Sequence, residues 1–209
     1  MKNKTMFIIV AIIVIIVVVG GYFLLSNKNS NTQNLNNSQN ISKKTIESSS
    51  DLALSLSDLP AGWEISTRGE RTKSNVAQSG IDMGWIEGYN IVFRKVDSKD
   101  VSISQDVSIY PIENISKLMD DSKNYVRSFT EFVNNTKKSY DVDRYGLKYR
   151  VEALSNPNIG DDSFAYKYTY EDGRVVYSIE LIKDRYYEGF SGYDYELMKE
   201  LASKAVKMI

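Results

Sequence analysis

The pattern of apolar and polar residues predicts an antiparallel β-sheet in the C-terminal three quarters of the chain. Between residues 101 and 110, apolar side chains stand at alternate positions and serine or aspartate stands between most of them. This is the period of a strand with one face in water. Similar patterns predict strands at residues 63–65, 85–95, 147–153, 164–170, 175–181 and 185–190.

The clearest turn signal lies inside the segment 164–181. Asp172 and Gly173 are the pair that a two-residue type I′ turn prefers. Such a turn pairs Thr169 with Val176, which brings the aromatic residues of the first strand onto one face with apolar residues of the second. We therefore predict a hairpin with one apolar face and one mostly polar face.

Two stretches have the period of an amphipathic helix. The first follows Pro111, with Asn114 as its predicted N-cap, and the second closes the chain after Gly192. Each helix comes after strands that it can cover. We therefore predict the α+β class, an antiparallel sheet with amphipathic helices packed on it, rather than a parallel α/β fold.

Residues 6–25 contain no charged side chain, and fifteen of them are Ile, Val, Leu or Phe. As a helix they extend about 30 Å, the thickness of a bilayer's hydrocarbon core, so they predict one transmembrane helix. Lys2 and Lys4 precede it, which predicts a cytoplasmic N-terminus and places residue 26 onward outside. A cleaved signal peptide and a type IV pilin are the alternatives, whereas a lipoprotein is excluded because the chain has no cysteine.

Composition divides the rest of the chain. Residues 26–50 contain seven Asn and seven Ser, which predicts a disordered linker between the transmembrane part (1–25) and an extracytoplasmic domain (51–209). Within the linker, Asn36 and Asn40 begin Asn-x-Ser matches and are candidate glycosylation sites. The domain carries 21 basic and 26 acidic residues, a net charge of −5, so we expect no nucleic-acid partner.

The chain offers little chemistry for catalysis. It has no histidine and no cysteine, which removes the commonest general base and the thiol nucleophile. Two pairs of acids, Asp161 with Asp162 and Asp141 with Asp143, have oxygen ligands that suit calcium, but adjacent acids at strand ends are more often turn formers. We expect no catalytic residue, no metal and no cofactor.

Tyrosine is the unusual feature, with fourteen residues after the anchor. Most fit the packing of the sheet. The tyrosines around the last predicted strand, with two more in the loop before the strand at 147–153, form a candidate binding rim if they are exposed. The members of this rim are Tyr140, Tyr145, Tyr186, Tyr187 and Tyr193.

Two short motifs resemble those of known domains. They are LPAGW at 59–63 and IGDDS at 159–163, the latter leading into an aromatic hairpin and a final helix. Together they resemble uncharacterised membrane-anchored or lipoprotein domains of archaea and bacteria, several of which adopt a PsbP/Mog1-like sandwich. The resemblance implies that fold for residues 51–209 and implies no catalytic residue.

These observations predict a non-catalytic binding or interaction module, held at the cell membrane by residues 6–25. Its expected partner is an unknown envelope protein or a small ligand. One alternative is a carboxylate-based hydrolase, which needs two acids facing each other across a cleft at about 5 to 10 Å. The other alternative is a structural or assembly protein of the envelope.

Overall fold

The computed structural model describes residues 48–136, 141–142 and 148–209. The predicted transmembrane helix, most of the linker, Asn36, Asn40, Tyr140 and Tyr145 lie outside these residues. The strands are β1 (Trp63–Glu70), β2 (Glu87–Lys95), β3 (Ser98–Ile109), β4 (Asp141–Val142), β5 (Lys148–Ala153), β6 (Asp162–Tyr170), β7 (Val175–Lys183) and β8 (Tyr186–Gly192). The helices are α1 (Gln78–Asp82), α2 (Ile112–Thr136) and α3 (Tyr195–Val206).

The eight strands of the described residues form one antiparallel sheet in the order β1-β2-β3-β8-β7-β6-β5-β4. The predicted α+β class is confirmed. Tyr89 pairs with Val107 and Phe93 with Ile103, so these apolar residues share one face, as the alternation predicts. Within the described ranges, no helix has both the length and the apolar character needed to cross a membrane.

The two long helices cover opposite faces of the sheet. Helix α2 lies over β5, β6 and β7, where Val126 and Phe129 pack against tyrosines of β5 and β6. Helix α3 lies over β7 and β8 on the other face, where Met198 and Leu201 belong to the largest apolar cluster. Because both faces are covered, the central strands bury side chains in both directions.

The prediction for the β6–β7 hairpin is wrong by one residue. Thr169 pairs with Val175 rather than Val176, and the Tyr170 amide donates to the Arg174 carbonyl at 2.9 Å. The loop therefore has three residues, and Gly173 (φ +88°) supplies its one left-handed position. A type I′ turn needs positive φ at both central residues, and Asp172 does not have it. Apolar residues therefore lie on both faces of the hairpin: the tyrosines of β6 under α2, and Ile179 and Leu181 of β7 under α3.

Helix α2 also begins earlier than predicted. Its first residue is Ile112, so Asn114 lies inside the first turn and is not the N-cap. The Asn114 side chain donates to the Met83 carbonyl at 3.1 Å and so joins the helix to the segment before β2. Pro111 precedes the helix directly, which the pattern did anticipate.

An N-terminal strap, residues 48–62, runs along β3 on the face that α3 covers. The Ser49 amide donates to Glu87 Oε1, and Leu52 and Leu54 are buried against the sheet. Residues 48–50, which the sequence interpretation places in the linker, thus already contact the folded domain. The Gln105 side chain holds the strap by accepting from the Leu54 amide at 2.8 Å and donating to the Leu52 carbonyl at 3.1 Å.

Candidate functional site

The candidate tyrosine rim does not form as predicted. Tyr186 and Tyr187 are each only 9% exposed, so the expectation that they lie at the surface is wrong. They are neighbours in β8, a central strand with both faces covered, so one ring packs into each layer. Tyr186 packs in the cluster that contains Leu52, and Tyr187 packs under α2. Tyr193 is half-buried and is the described member of the rim that borders a groove.

This groove lies at the end of the domain where β3 begins, and we call it the far groove. It has a volume of about 290 Å³. Three parts of the chain form it: the turn before β1, the facing ends of β2 and β3, and the start of α3. Its lining residues are Pro60, Ala61, Trp63, Lys95, Val101, Ile103, Tyr193, Asp194 and Leu197.

The positions of the polar side chains in the far groove follow from local structure. Trp63 is the first residue of β1 and pairs with Lys95, the last residue of β2, so the indole and the ammonium share one face. Asp194 is the N-cap of α3, and its Oδ1 accepts from the Leu197 amide at 3.0 Å. The groove therefore combines two aromatic rings with one cation, while its carboxylate is committed to the helix.

Such a lining offers surface for binding. Trp63 and Tyr193 are half-buried and offer ring surface together with one N–H and one O–H donor. Lys95 adds a mobile cation at the rim. Asp194 also lines an adjoining depression on α3, together with Glu196 and Glu200.

One pair of carboxylates relevant to the hydrolase alternative lies on the face that α2 partly covers. Asp106 and Glu180 both pair with Gly189 of β8, so they lie in one row with glycine between them. Two strand spacings separate their Cα atoms by about 9.6 Å. Whether the two carboxylates are available is decided by their partners.

Both carboxylates are held by internal partners. Glu180 is 2% exposed, and it accepts from the Tyr166 hydroxyl at 2.6 Å and from the Tyr187 hydroxyl. Burial, and then the adjacent Glu180 carboxylate, raise the pKa of both phenols well above the ordinary value, so they remain donors. Asp106 accepts from Asn90 at 3.1 Å and lies 3.8 Å from Arg71. The pair is therefore part of the protein interior and does not face a cleft.

We expect Tyr187→Phe to lower the free energy of unfolding by about 1 to 3 kcal/mol, because Glu180 loses one of its two donors while it stays buried. Tyr177→Phe is the matched control in the next strand, because its half-buried ring packs on Tyr195 and its hydroxyl has no hydrogen bond in the described structure. Urea unfolding of both variants measures the difference. Equal losses would show that the Glu180 hydrogen bond contributes nothing.

The adjacent acids Asp161 and Asp162, considered above as calcium ligands, are also bonded to other groups of the protein. Asp161 accepts from Lys183 Nζ at 2.7 Å and from the Asp184 amide at 2.8 Å, and these hydrogen bonds lower its pKa. Asp162 is paired with Lys123 of α2. Over the described ranges no group of three or more His, Cys, Asp or Glu side chains is arranged to hold a metal ion. Asp143 lies outside these residues.

Sequence reasoning missed most of the far groove. Trp63 was predicted to begin one strand and Lys95 to end another, and they meet Tyr193 only because β3 lies beside β8 in the sheet. The spacing of these residues along the chain contains no sign of that adjacency. Only the hydrophobic turn that ends in Trp63 hinted at the location.

No protein-family model and no curated protein matches the chain. Among solved structures, the extracellular domain of PknH from Mycobacterium tuberculosis is similar to it. The likeness has a TM-score of 0.48 and 10% sequence identity, and it covers 76% of this chain and 94% of that one. The proposals below therefore rest on the residues of this chain.

Proposed function

We propose that the protein is a membrane-anchored, extracytoplasmic binding module that is not an enzyme. Residues 6–25 act as an uncleaved single-pass anchor with a cytoplasmic N-terminus, and the C-terminal domain works outside. The far groove binds the partner, which is an envelope protein or a small ligand and not nucleic acid. The resemblance of its two short motifs to PsbP/Mog1-like domains implies a fold for residues 51–209 and no catalytic residue.

One observation carries this proposal: the far groove and the point where the chain enters the domain lie at opposite ends of the sheet. The strap enters beside Glu87, which pairs with Ile109 at the end of β3. Ile103 lines the groove six residues earlier, which is about 20 Å along the strand. A groove at the end opposite the tether is free to meet a partner that approaches from outside.

The chemistry of the groove agrees with reversible binding. Aromatic residues supply large contact area at a low cost in side-chain entropy, and Trp and Tyr dominate the energetics of binding surfaces. Asp106 and Glu180 are bonded to other side chains of the domain, so they are not offered to a ligand. The alternative of an assembly protein has no specific contact to support it within the described residues.

Trp63 provides a direct test of binding. The chain has two tryptophans, and Trp85 is buried in a different cluster, so Trp85→Phe leaves the groove indole as the sole reporter. We expect saturable changes in Trp63 emission when synthetic hexapeptides or chito-oligosaccharides are titrated into the full-length protein in detergent, with the bound probe recovered unchanged by mass spectrometry.

Two charge reversals separate groove binding from nonspecific effects. Lys95→Glu should weaken binding of the probe at least tenfold. Lys117→Glu, an exposed change on α2, should leave the affinity for the probe unchanged. If both variants bind the probe equally well, the far groove is not the binding site. Cleavage of the probe that disappears in Asp106→Asn would show a hydrolase, and a stable polymer of the purified protein would favour an assembly role.

A further inference from the structure

Three large apolar side chains are exposed at the end of the domain where the strap enters. Their exposed fractions are 50% for Ile86, 65% for Ile112 and 37% for Met208. We call these three residues the entry-end patch. The other exposed large apolar residues of the described chain, Leu56 and Val96, lie toward the far groove.

The three residues surround the end of strand β3. The Ile86 amide donates to the Ile109 carbonyl at 2.9 Å, and Ile112 begins α2 three residues after Ile109. Met208 follows α3, and its neighbour Ile209 packs on the buried cluster that contains Ile109. The patch is therefore assembled from the segment before β2, the start of one long helix and the end of the other.

The chain arrives at this same end. The Ser49 amide is bonded to Glu87, the residue that follows Ile86, and Leu52 belongs to the cluster on which Ile209 packs. From residue 48 the chain continues back through the linker to the proposed anchor. The patch and the path to the membrane are thus on one side of the domain.

We propose that the entry-end patch docks on the surface of the lipid bilayer. This inference rests on the proposed function, because it requires residues 6–25 to be an anchor. Residues 26–47 span 22 positions, and a random coil of that length reaches about 25 to 28 Å. The patch is thereby kept near the bilayer at an effective concentration in the millimolar range, so a weak apolar contact is sufficient.

The surrounding charges indicate what kind of surface fits. Exposed side chains next to the patch carry both signs, Arg185 and Lys207 against Glu113 and Asp184. A polybasic rim would select anionic lipid, and this rim is not polybasic. The patch therefore docks at the apolar–polar boundary of a zwitterionic bilayer, and the strength of this contact depends little on salt.

Docking in this way fixes the orientation of the domain. With the entry end against the lipid, the axis of β3 points outward and the far groove opens at the greatest distance from the membrane. A domain that only diffused on its linker would present the groove in all directions. Docking would thus restrict the partner to one that approaches from outside.

The absence of cysteine makes the orientation measurable. Glu113→Cys places a single fluorescent label beside the patch, and Asp97→Cys places one at the opposite end; both positions are exposed. The full-length chain is inserted, one copy per disc, into phosphatidylcholine nanodiscs that contain headgroup nitroxide lipid. We expect several-fold stronger quenching at position 113 than at position 97, with little change between low and high salt.

Substitution of the patch tests its role. Ile86→Ser, Ile112→Ser and Met208→Ser together should bring the quenching at position 113 down to that at position 97. Leu56→Ser with Val96→Ser, which removes apolar surface at the other end, should change nothing. Because all five side chains are exposed, the folded state should survive, and Ile112→Ser alone is a milder variant that should show a partial loss.

Three results would overturn the inference. Equal quenching at both positions, with the chain inserted, would show that the domain does not dock while leaving the anchor intact. If the chain does not stay with the discs, residues 6–25 are not an anchor, and the proposed location at the membrane is wrong as well. Preferential quenching that appears only with two chains per disc would assign the patch to a second copy of the protein.

Discussion

Replacing Gly160 with alanine should destabilise the domain by about 3 kcal/mol. A residue other than glycine in the left-handed conformation costs about 1 to 3 kcal/mol, and a side-chain atom forced into a packed region adds a similar amount. Gly160 has φ +74°, and a Cβ there would lie 2.4 Å from the Ile182 carbonyl oxygen. That oxygen also accepts from the Asp161 amide at 2.8 Å, so relief of the clash breaks a hydrogen bond between the loop and β7. Urea unfolding of Gly160→Ala measures the loss.

Gly173→Ala separates backbone strain from the clash. Gly173 has φ +88° but no atom lies within 4 Å of a Cβ built on it. We expect it to lose only about 1 kcal/mol, the cost of the left-handed conformation alone. If the two variants unfold at the same urea concentration, the close approach of Gly160 to Ile182 is not a constraint on this fold.

Stability should decrease as pH rises from 5 to 8, with Glu188 as the source. Glu188 is fully buried, and burial raises its pKa to about 7, with a hydrogen bond from Gln105 opposing the shift. The folded carboxyl keeps its proton between pH 4.5 and 7, where the unfolded one has lost it, so folding stability falls across this window and levels off above it. The difference between pH 5 and pH 8 is on the order of 2 to 3 kcal/mol.

Glu188→Gln isolates this contribution. The amide is neutral at every pH and can still accept from Gln105 Nε2, which bonds the carboxylate at 2.9 Å. We expect the variant to match the wild type at pH 5 and to be more stable by about 2 kcal/mol at pH 8. Asp106, whose pKa burial also raises, remains in both proteins, so the difference between them belongs to Glu188. Parallel pH profiles would contradict the raised pKa.

The Gln105–Glu188 contact also shows why the strap is part of the domain. Gln105 bonds two backbone groups of the strap and the Glu188 carboxylate at once. One Glu188 oxygen has no hydrogen-bond partner in the described structure, and this is where the buried charge is least compensated. Weakening at high pH should therefore appear first in the strap, as faster amide exchange at Leu54.

Alternation and helical periodicity were sufficient for the fold class. The pairing of Phe93 with Ile103 follows from a period-two pattern on both strands, and such a pattern depends on local side chains alone. The β6–β7 register did not follow, because Asp-Gly suits both a two-residue loop and the end of a three-residue loop. Tertiary contacts select between them, since both faces of this hairpin lie under helices.

The errors at the candidate site have a related cause. Tyr186 and Tyr187 were included in the rim because of their place in the last predicted strand, yet β8 is in the middle of the sheet. The position of a strand within the sheet order is a property of the whole topology. The far groove depends on the same property, because it brings Tyr193 to Trp63 across 130 positions of sequence.

The domain should be displayed outside the cell on an uncleaved anchor, and labelling of single cysteines in intact cells distinguishes this topology from its inverse. Val96→Cys, exposed near the far groove, should react with a membrane-impermeant maleimide, while Asn3→Cys should react only after lysis. The labelled protein should remain in the membrane after an alkaline carbonate wash and retain its N-terminal peptide in mass spectrometry. Labelling of Asn3→Cys but not Val96→Cys in intact cells, or a mature chain that begins after residue 25, would contradict the account.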